Sequence, residues 1–263
     1  MVKSVHYITY DMISSEGDVK IVETEKVELK YPISLDGLPD VGLVGAIAAV
    51  HLVETLNLKE IGYVESKLFP PVMVLHEGIL KEPLRIYANE SLIVIVSEIV
   101  IPPVAIYSLS QSLANWIKDK GVKLHISMNG FPDQQRLNVE KPEVFGIGNR
   151  KEAIDILNDN KVNRMEMGFV AGLYPQILKE LAKRDVSAIA LLSQAYLKYP
   201  DPGASASVLE VLSKIVKIDI DTKPLIEKAG EIKVRLRDLM KHTQNVMSGI
   251  GKGAEHEIPL MYR

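Results

Sequence analysis

The stretch Ser91-Leu-Ile-Val-Ile-Val-Ser97 decides the fold class. Its five central residues are apolar without a break, and four of them, Ile93 to Val96, are β-branched. Such side chains are stiff at χ1 and fit a pleated surface, and a strand that is apolar on both faces must be covered on both faces. The run therefore predicts a central strand between two layers. Pro102-Pro103 ends it, and Val104–Lys120 follows as a helix carrying Trp116. Val122–Met128 reads as the next strand, Lys151–Asn158 and Pro175–Arg184 as helices, and Val186–Leu192 as a second buried strand. Asp201-Pro202-Gly203 is a turn that leads into a helix over Ala204–Val216.

Working back towards the N-terminus, Ile61–Leu68 and Val72–His76 read as short strands flanking Pro70-Pro71. The tight turn Gly37-Leu-Pro-Asp-Val-Gly-Leu-Val-Gly45 enters an apolar helix over Val41–Val53, with Asp40 as its expected N-cap. Val2–Tyr10 and Val19–Leu29 alternate polar and apolar residues and predict an antiparallel hairpin with one wet face. That opening is unlike a signal peptide. Strands alternating with helices predict an α/β protein, a three-layer αβα sandwich with a mainly parallel sheet.

The expected organisation is a core domain over residues 1–220, a C-terminal helix over 221–247 and a tether over 248–263. Leu225, Ala229, Ile232, Leu236 and Leu239 are spaced four, three, four and three apart, a heptad seam. Such a seam serves either to pack the helix on its own domain or to form a helix–helix contact between copies. Gly249, Gly251 and Gly253 then break the helix, and the chain ends on Ile258-Pro-Leu-Met-Tyr-Arg263. An apolar end on a glycine-rich tether predicts a peptide that binds something.

Composition narrows the chemistry. The 263 residues are 47% hydrophobic, enough for a sizeable core, and the net charge of −3 offers no excess positive charge for a phosphate backbone. Nucleic acid is therefore not an expected partner. No membrane is expected either, because the most apolar stretch, Val41–Val53, is too short to span a bilayer. With no cysteine there are no disulfides and no thiolate chemistry, which fits a cytoplasmic protein.

His6, His51, His76, His125, His242 and His256 lack the spacing of a helix-borne metal pair, so no metal is expected, and there is no G-x-S-x-G elbow. Asp40-Val-Gly42-Leu-Val-Gly45 approaches the dinucleotide fingerprint G-x-G-x-x-G, but Asp40 stands where the first glycine belongs and would repel a pyrophosphate. Gly42 and Gly45 instead predict close packing of helix on sheet. Gly249-Ile-Gly-Lys252-Gly253 lacks the spacing of a P-loop. No cofactor is expected.

The ordered set Gly37–Gly45, Phe69-Pro-Pro71, Leu92–Ser97 with Glu98 and Pro102-Pro103, Gly172-Leu-Tyr174, Ala190–Ala195 and Tyr199-Pro-Asp-Pro-Gly203 resembles the proteasome-assembling chaperone family over residues 30 to 220. Asp40 departs from it where many relatives have glycine. The resemblance implies a Rossmann-like domain akin to nucleoside phosphorylases and no need for ATP. It implies homo-oligomers, a tetramer first and a pentamer second. It also implies a C-terminal hydrophobic–tyrosine–any-residue tripeptide that enters pockets between α-subunits of the 20S proteasome. Met261-Tyr262-Arg263, preceded by Leu260, fits that tripeptide. The alternative from a different class is a nucleotide-dependent carboxylate–amine ligase of ATP-grasp type.

The physics of the tail stands beside the family. A terminal carboxylate pairs with a lysine at the bottom of a pocket, Tyr262 brings a large ring and a hydroxyl, and Met261 fills irregular space. Several tails on one oligomer bind far better than one.

Overall fold

The computed structural model describes residues 17–246. Nine strands form one sheet in the order β1-β3-β6-β7-β2-β8-β11-β9-β10. At its centre lie four parallel strands, β7 (Leu92–Ser97), β2 (Ile33–Gly37), β8 (Leu124–Pro132) and β11 (Ser187–Ala195). On one flank β6 (Leu84–Ala88), β3 (Lys59–Ser66) and β1 (Val19–Glu23) follow, each antiparallel to its neighbour. On the other flank β9 (Val144–Gly148) runs antiparallel to β11 and carries the short parallel strand β10 (Asn163–Arg164). A separate hairpin of β4 (Val74–His76) and β5 (Ile79–Lys81) stands off the main sheet.

The expected α/β sandwich is present, with a correction: the sheet is mixed, with four parallel strands in its middle, antiparallel pairs on both flanks and the short parallel strand β10 at one edge. Connection length is the cause for β6 and β7. Only residues 89–91 join them, and a parallel pair needs a crossover of about a dozen residues or more. Asn89 shapes this turn by accepting from the backbone N–H groups of Ser91 and Leu92.

Two apolar layers cover the sheet. One gathers α1 (Val44–Thr55), α3 (Lys151–Asp159) and α5 (Pro202–Val216) over Leu35, Val94, Ile126 and Leu191. The other gathers α2 (Ile106–Asp119) and α4 (Leu173–Ala182) over Ile93, Ile95, Ala190 and Leu192. Every residue of β7 is buried, as its unbroken apolar run requires. The expected hairpin partner over Val2–Tyr10 lies outside the described residues, and β1 pairs with β3.

Helix α1 lies unusually close to the sheet. A Cβ on Gly45 would sit 2.0 Å from the Met128 carbonyl oxygen, and one on Gly37 would sit 2.1 Å from the Gly45 carbonyl oxygen. The glycines of the turn are thus packing residues, and Gly42, at φ +64°, also takes the left-handed conformation that glycine adopts without cost. The expected N-cap role of Asp40 is corrected: its side chain makes no capping hydrogen bond, because Val41–Leu43 forms a one-turn 3-10 helix before α1 begins.

The expected single C-terminal helix is three pieces: α6 (Lys223–Glu227), α7 (Ala229–Arg235) and helical turns over 237–246. Leu225, Ile232 and Met240 are buried in the same apolar layer as α1 and α5.

The turn at Asp201 is locked by a buried ion pair. Asp201 receives Arg136 Nε at 2.8 Å and Nη2 at 2.9 Å, and it caps α5 through the Ala204 N–H at 3.0 Å. Removing one partner leaves a buried charge unpaired, which costs about 3–5 kcal/mol. Asp201→Ala is therefore expected to lower urea stability by that order, and Arg136→Ala similarly. In the double variant the two losses should overlap heavily; full additivity in that cycle would show the pair to be uncoupled.

Candidate functional site

A polar line crosses the middle of the sheet on the α2/α4 face. β2 contributes Ser34 and Asp36, and β8 contributes His125, Ser127 and Asn129, alternate residues on one side of each strand. The register sets Ser34 beside His125 and Asp36 beside Ser127. Ser127 Oγ donates to Asp36 Oδ2 at 2.6 Å, and His125 Nε2 lies 2.8 Å from the same oxygen. A carboxylate only accepts, so Nε2 carries the proton; in the neutral ring Nδ1 then accepts from Ser34 Oγ at 2.8 Å.

This Ser–His–Asp contact is not a nucleophilic triad. Ser34 and His125 are wholly buried between strands, and no substrate reaches the hydroxyl. The outer end of the line differs. Beyond the C-terminal ends of β2 and β7, where ligands bind in open α/β sheets, lies a cavity of about 40 Å³. Asp36, Asp40, Asn129 and Tyr174 supply its polar groups, and Leu38, Ile101, Ile106 and Leu173 are among its apolar ones. Asp36 is 1% exposed, and while its Oδ2 takes two hydrogen bonds its Oδ1 has no partner.

Asp40 is buried at the same place. Burial pushes its carboxyl up from 3.8 to about 7; the Val41 N–H works against this and the nearby Asp36 adds to it. With its amide nitrogen turned towards the carboxyl, Asn129 donates to Asp40 Oδ2 at 3.2 Å. Burial, with Asp40 close by, also raises the Tyr174 hydroxyl well above the ordinary tyrosine range. Among the described residues no Lys, Arg or His lines the cavity.

Leu260, Met261, Tyr262 and Arg263 lie outside the described residues. Of the heptad seam, Leu225 and Ile232 are buried in the chain's own core, Leu236 and Leu239 are partly buried against it, and Ala229 is half-exposed. His76 pairs with Glu98 at 2.8 Å, and Arg85 binds the same carboxylate. Among the described residues no group of three or more His, Asp or Glu is placed to hold a metal ion. No described helix is long and apolar enough to cross a membrane.

Sequence reasoning missed Ser34, Asp36, Ser127, Asn129 and Tyr174 as site residues. The signal for three of the line's members was His125-Ile-Ser-Met-Asn129, polar at every second position inside a strand otherwise read as core. Surface features were also hidden: Leu75, Ile79 and Leu80 of the β4–β5 hairpin are all more than 60% exposed, and Met167 and Phe169 are more exposed still.

The Asp40 environment has a consequence for stability. In the unfolded chain this carboxyl ionises near 3.8, whereas in the folded chain it holds its proton to about 7. Its contribution is complete below the lower value and is lost as pH rises through the higher one, a difference on the order of a few kcal/mol. The titratable groups around it are Asp36 and Tyr174, with His125 behind Asp36. Asp40→Asn, always neutral, is expected to melt above the parent at pH 8, with the gap closing towards pH 4. A variant less stable than the parent at pH 8 would show that Asp40 is held ionised.

The fold and the sequence both have relatives. Residues 34–240 match the PAC2 family. An uncharacterised protein of Methanocaldococcus jannaschii is 33% identical over 230 residues, 88% of this chain and 94% of its own. Pyrococcus furiosus PbaA, described as an archaeal homolog of proteasome-assembly chaperone, matches with a TM-score of 0.81 at 30% identity, covering 87% of this chain and 99% of that one. Pyrococcus furiosus PbaB, described as an archaeal proteasome activator, has the same fold, with a TM-score of 0.74 at 23% identity over 84% of this chain and 98% of that one. With a match across most of its length and a relative of this identity, the chain belongs to the PAC2 family, the proteasome-assembling chaperone family that its ordered motifs resemble.

Proposed function

We propose that this protein is an ATP-independent assembly chaperone or activator of the proteasome, acting in the cytoplasm. It docks Met261-Tyr262-Arg263 into pockets between α-subunits of the 20S core. The observation that carries the reading is the likeness to PbaA, which spans 99% of that chain at 30% identity, joined to a sequence that ends on a hydrophobic–tyrosine–arginine tripeptide.

The cavity beyond β2 and β7 does not suit a nucleotide: about 40 Å³ is far below the several hundred cubic ångströms such a ligand needs, and two carboxyl groups repel phosphate. A wider cavity of about 450 Å³, lined by Gly146, Gly148, Ile154, Arg164 and Glu166 among others, is where the ligase alternative would have to place one.

Avidity requires several tails, so the reading includes a homo-oligomer, a tetramer first and a pentamer second. The apolar side chains on the β4–β5 hairpin and at Met167 and Phe169 support a surface that another chain covers. The seam at Leu225, Ala229, Ile232, Leu236 and Leu239 has its inner residues committed to the core. The outward Ile226 and Val234 remain as its exposed apolar side chains.

Tyr262→Ala is expected to remove binding to isolated 20S cores in a pull-down while leaving the melting temperature and oligomer mass unchanged. Truncating an anchoring aromatic costs about 2 kcal/mol or more, roughly thirtyfold per tail, and the loss multiplies across tails. An extension of two residues after Arg263 should act almost as strongly, because it moves the carboxylate away from its lysine. Arg263→Ala should matter least. The reading is falsified if the Tyr262→Ala chain and the extended chain both bind cores like the parent.

A further inference from the structure

We propose that the cavity beyond the ends of β2 and β7 is a binding site for a small primary ammonium group, accepted by Asp36, Asp40 and Tyr174. The proposal does not rest on the proteasome reading. Its first support is the orphaned oxygen. Asp36 is fixed from behind by His125 and Ser127 on Oδ2, and Oδ1, buried at the cavity, receives nothing. A buried acceptor left unmade is costly, so the site is built for something that donates.

The second support is what surrounds that oxygen. Asp40 adds another carboxyl, the Tyr174 hydroxyl can accept, and the Asn129 amide nitrogen is already engaged by Asp40 and the Met128 carbonyl. Above about pH 7 the Asp40 carboxyl has given up its proton, and with no Lys, Arg or His in the lining among the described residues the wall is then rich in acceptors. An occupant must therefore bring both N–H groups and positive charge. An ammonium has three such donors on one point charge.

Size and rim complete the argument. About 40 Å³ admits a head group of one nitrogen and a carbon or two, where a single water occupies roughly 10–15 Å³ on this measure. The neighbouring Leu38, Ile101, Ile106 and Leu173 accept a short alkyl stem. A divalent cation fits poorly, since calcium takes about six to eight oxygen ligands and magnesium six, and no metal-holding group of three or more exists among the described residues. The ammonium is that of a free amine.

The test is a melting-temperature titration of the full chain at pH 8 with methylammonium chloride. Sodium chloride at equal ionic strength and tetramethylammonium chloride, which has no N–H, are the controls. We expect a saturable rise with methylammonium alone. Asp36→Asn and Asp40→Asn, each confirmed folded by circular dichroism, should weaken it about tenfold or more, the scale of a charge-assisted hydrogen bond. Equal shifts from all three salts, undiminished binding in both Asp→Asn variants, or no saturable response in the parent overturns the proposal and leaves a cavity that holds water only.

Discussion

The contact between Gly45 and the Met128 carbonyl is the constraint on which the centre of the molecule depends. A helix normally rests on a sheet through its side chains. Here backbone meets backbone, and any Cβ at position 45 would lie 2.0 Å from that oxygen. The same closeness explains why α1 is apolar nearly all round, since Ala46, Ala48, Ala49 and Leu52 are all buried. It also leaves little room at the start of the helix. The chain leaves β2 at Gly37, turns through Asp40 and enters α1 with Gly42 and Leu43 both at positive φ. That tight path holds Asp40 under the surface beside Asp36, where water would otherwise solvate both carboxyl groups.

Burying Asp36 is possible because its neighbours were placed by register. β2 and β8 lie side by side with Asp36 opposite Ser127 and Ser34 opposite His125. Each polar side chain finds its partner across about one strand spacing, and the line ends where the sheet ends. The inner hydrogen bonds fix one carboxylate oxygen and leave the other without a partner. The geometry of the cavity is therefore a property of strand pairing, made by residues that no single loop controls.

Much of this fold was legible in the sequence, and the failures have physical causes. Unbroken apolar runs at Leu92–Val96 and Val186–Leu192 announced buried strands because nothing else accommodates them. Ile33-Ser-Leu-Asp-Gly37 gave no such announcement. It is a central strand with two polar side chains inside, and those are tolerable only through β8, which lies about ninety residues away in sequence. Val144-Phe-Gly-Ile-Gly148 was silent for another reason. Its glycines, poor strand formers, are required where Leu157 packs on Gly146 and Ile154 on Gly148. The mainly parallel sense of the sheet was over-read, since alternation of strands and helices describes the middle but not the antiparallel strands on the flanks. The cavity was invisible because its residues come from five separate segments. The tail, by contrast, is a purely sequential feature, readable without any structure.

The pairing of β2 with β8 also sets an order of events during synthesis. Ser34 and His125 are 91 residues apart, and ribosomes add roughly 5–20 residues per second. For about 5–20 seconds after β2 emerges, its strand neighbour on that side does not exist, and Ser34 and Asp36 have no partners. β7 can pair with it earlier, but the second long edge of the central sheet stays open until β8 arrives, and β11 must follow later still. Parallel strands joined by such long crossovers form slowly and leave unpaired edges exposed meanwhile. A protein of this topology is thus exposed to misassociation while it is being made, and cellular folding assistance would act on it chiefly before residue 195 has left the ribosome.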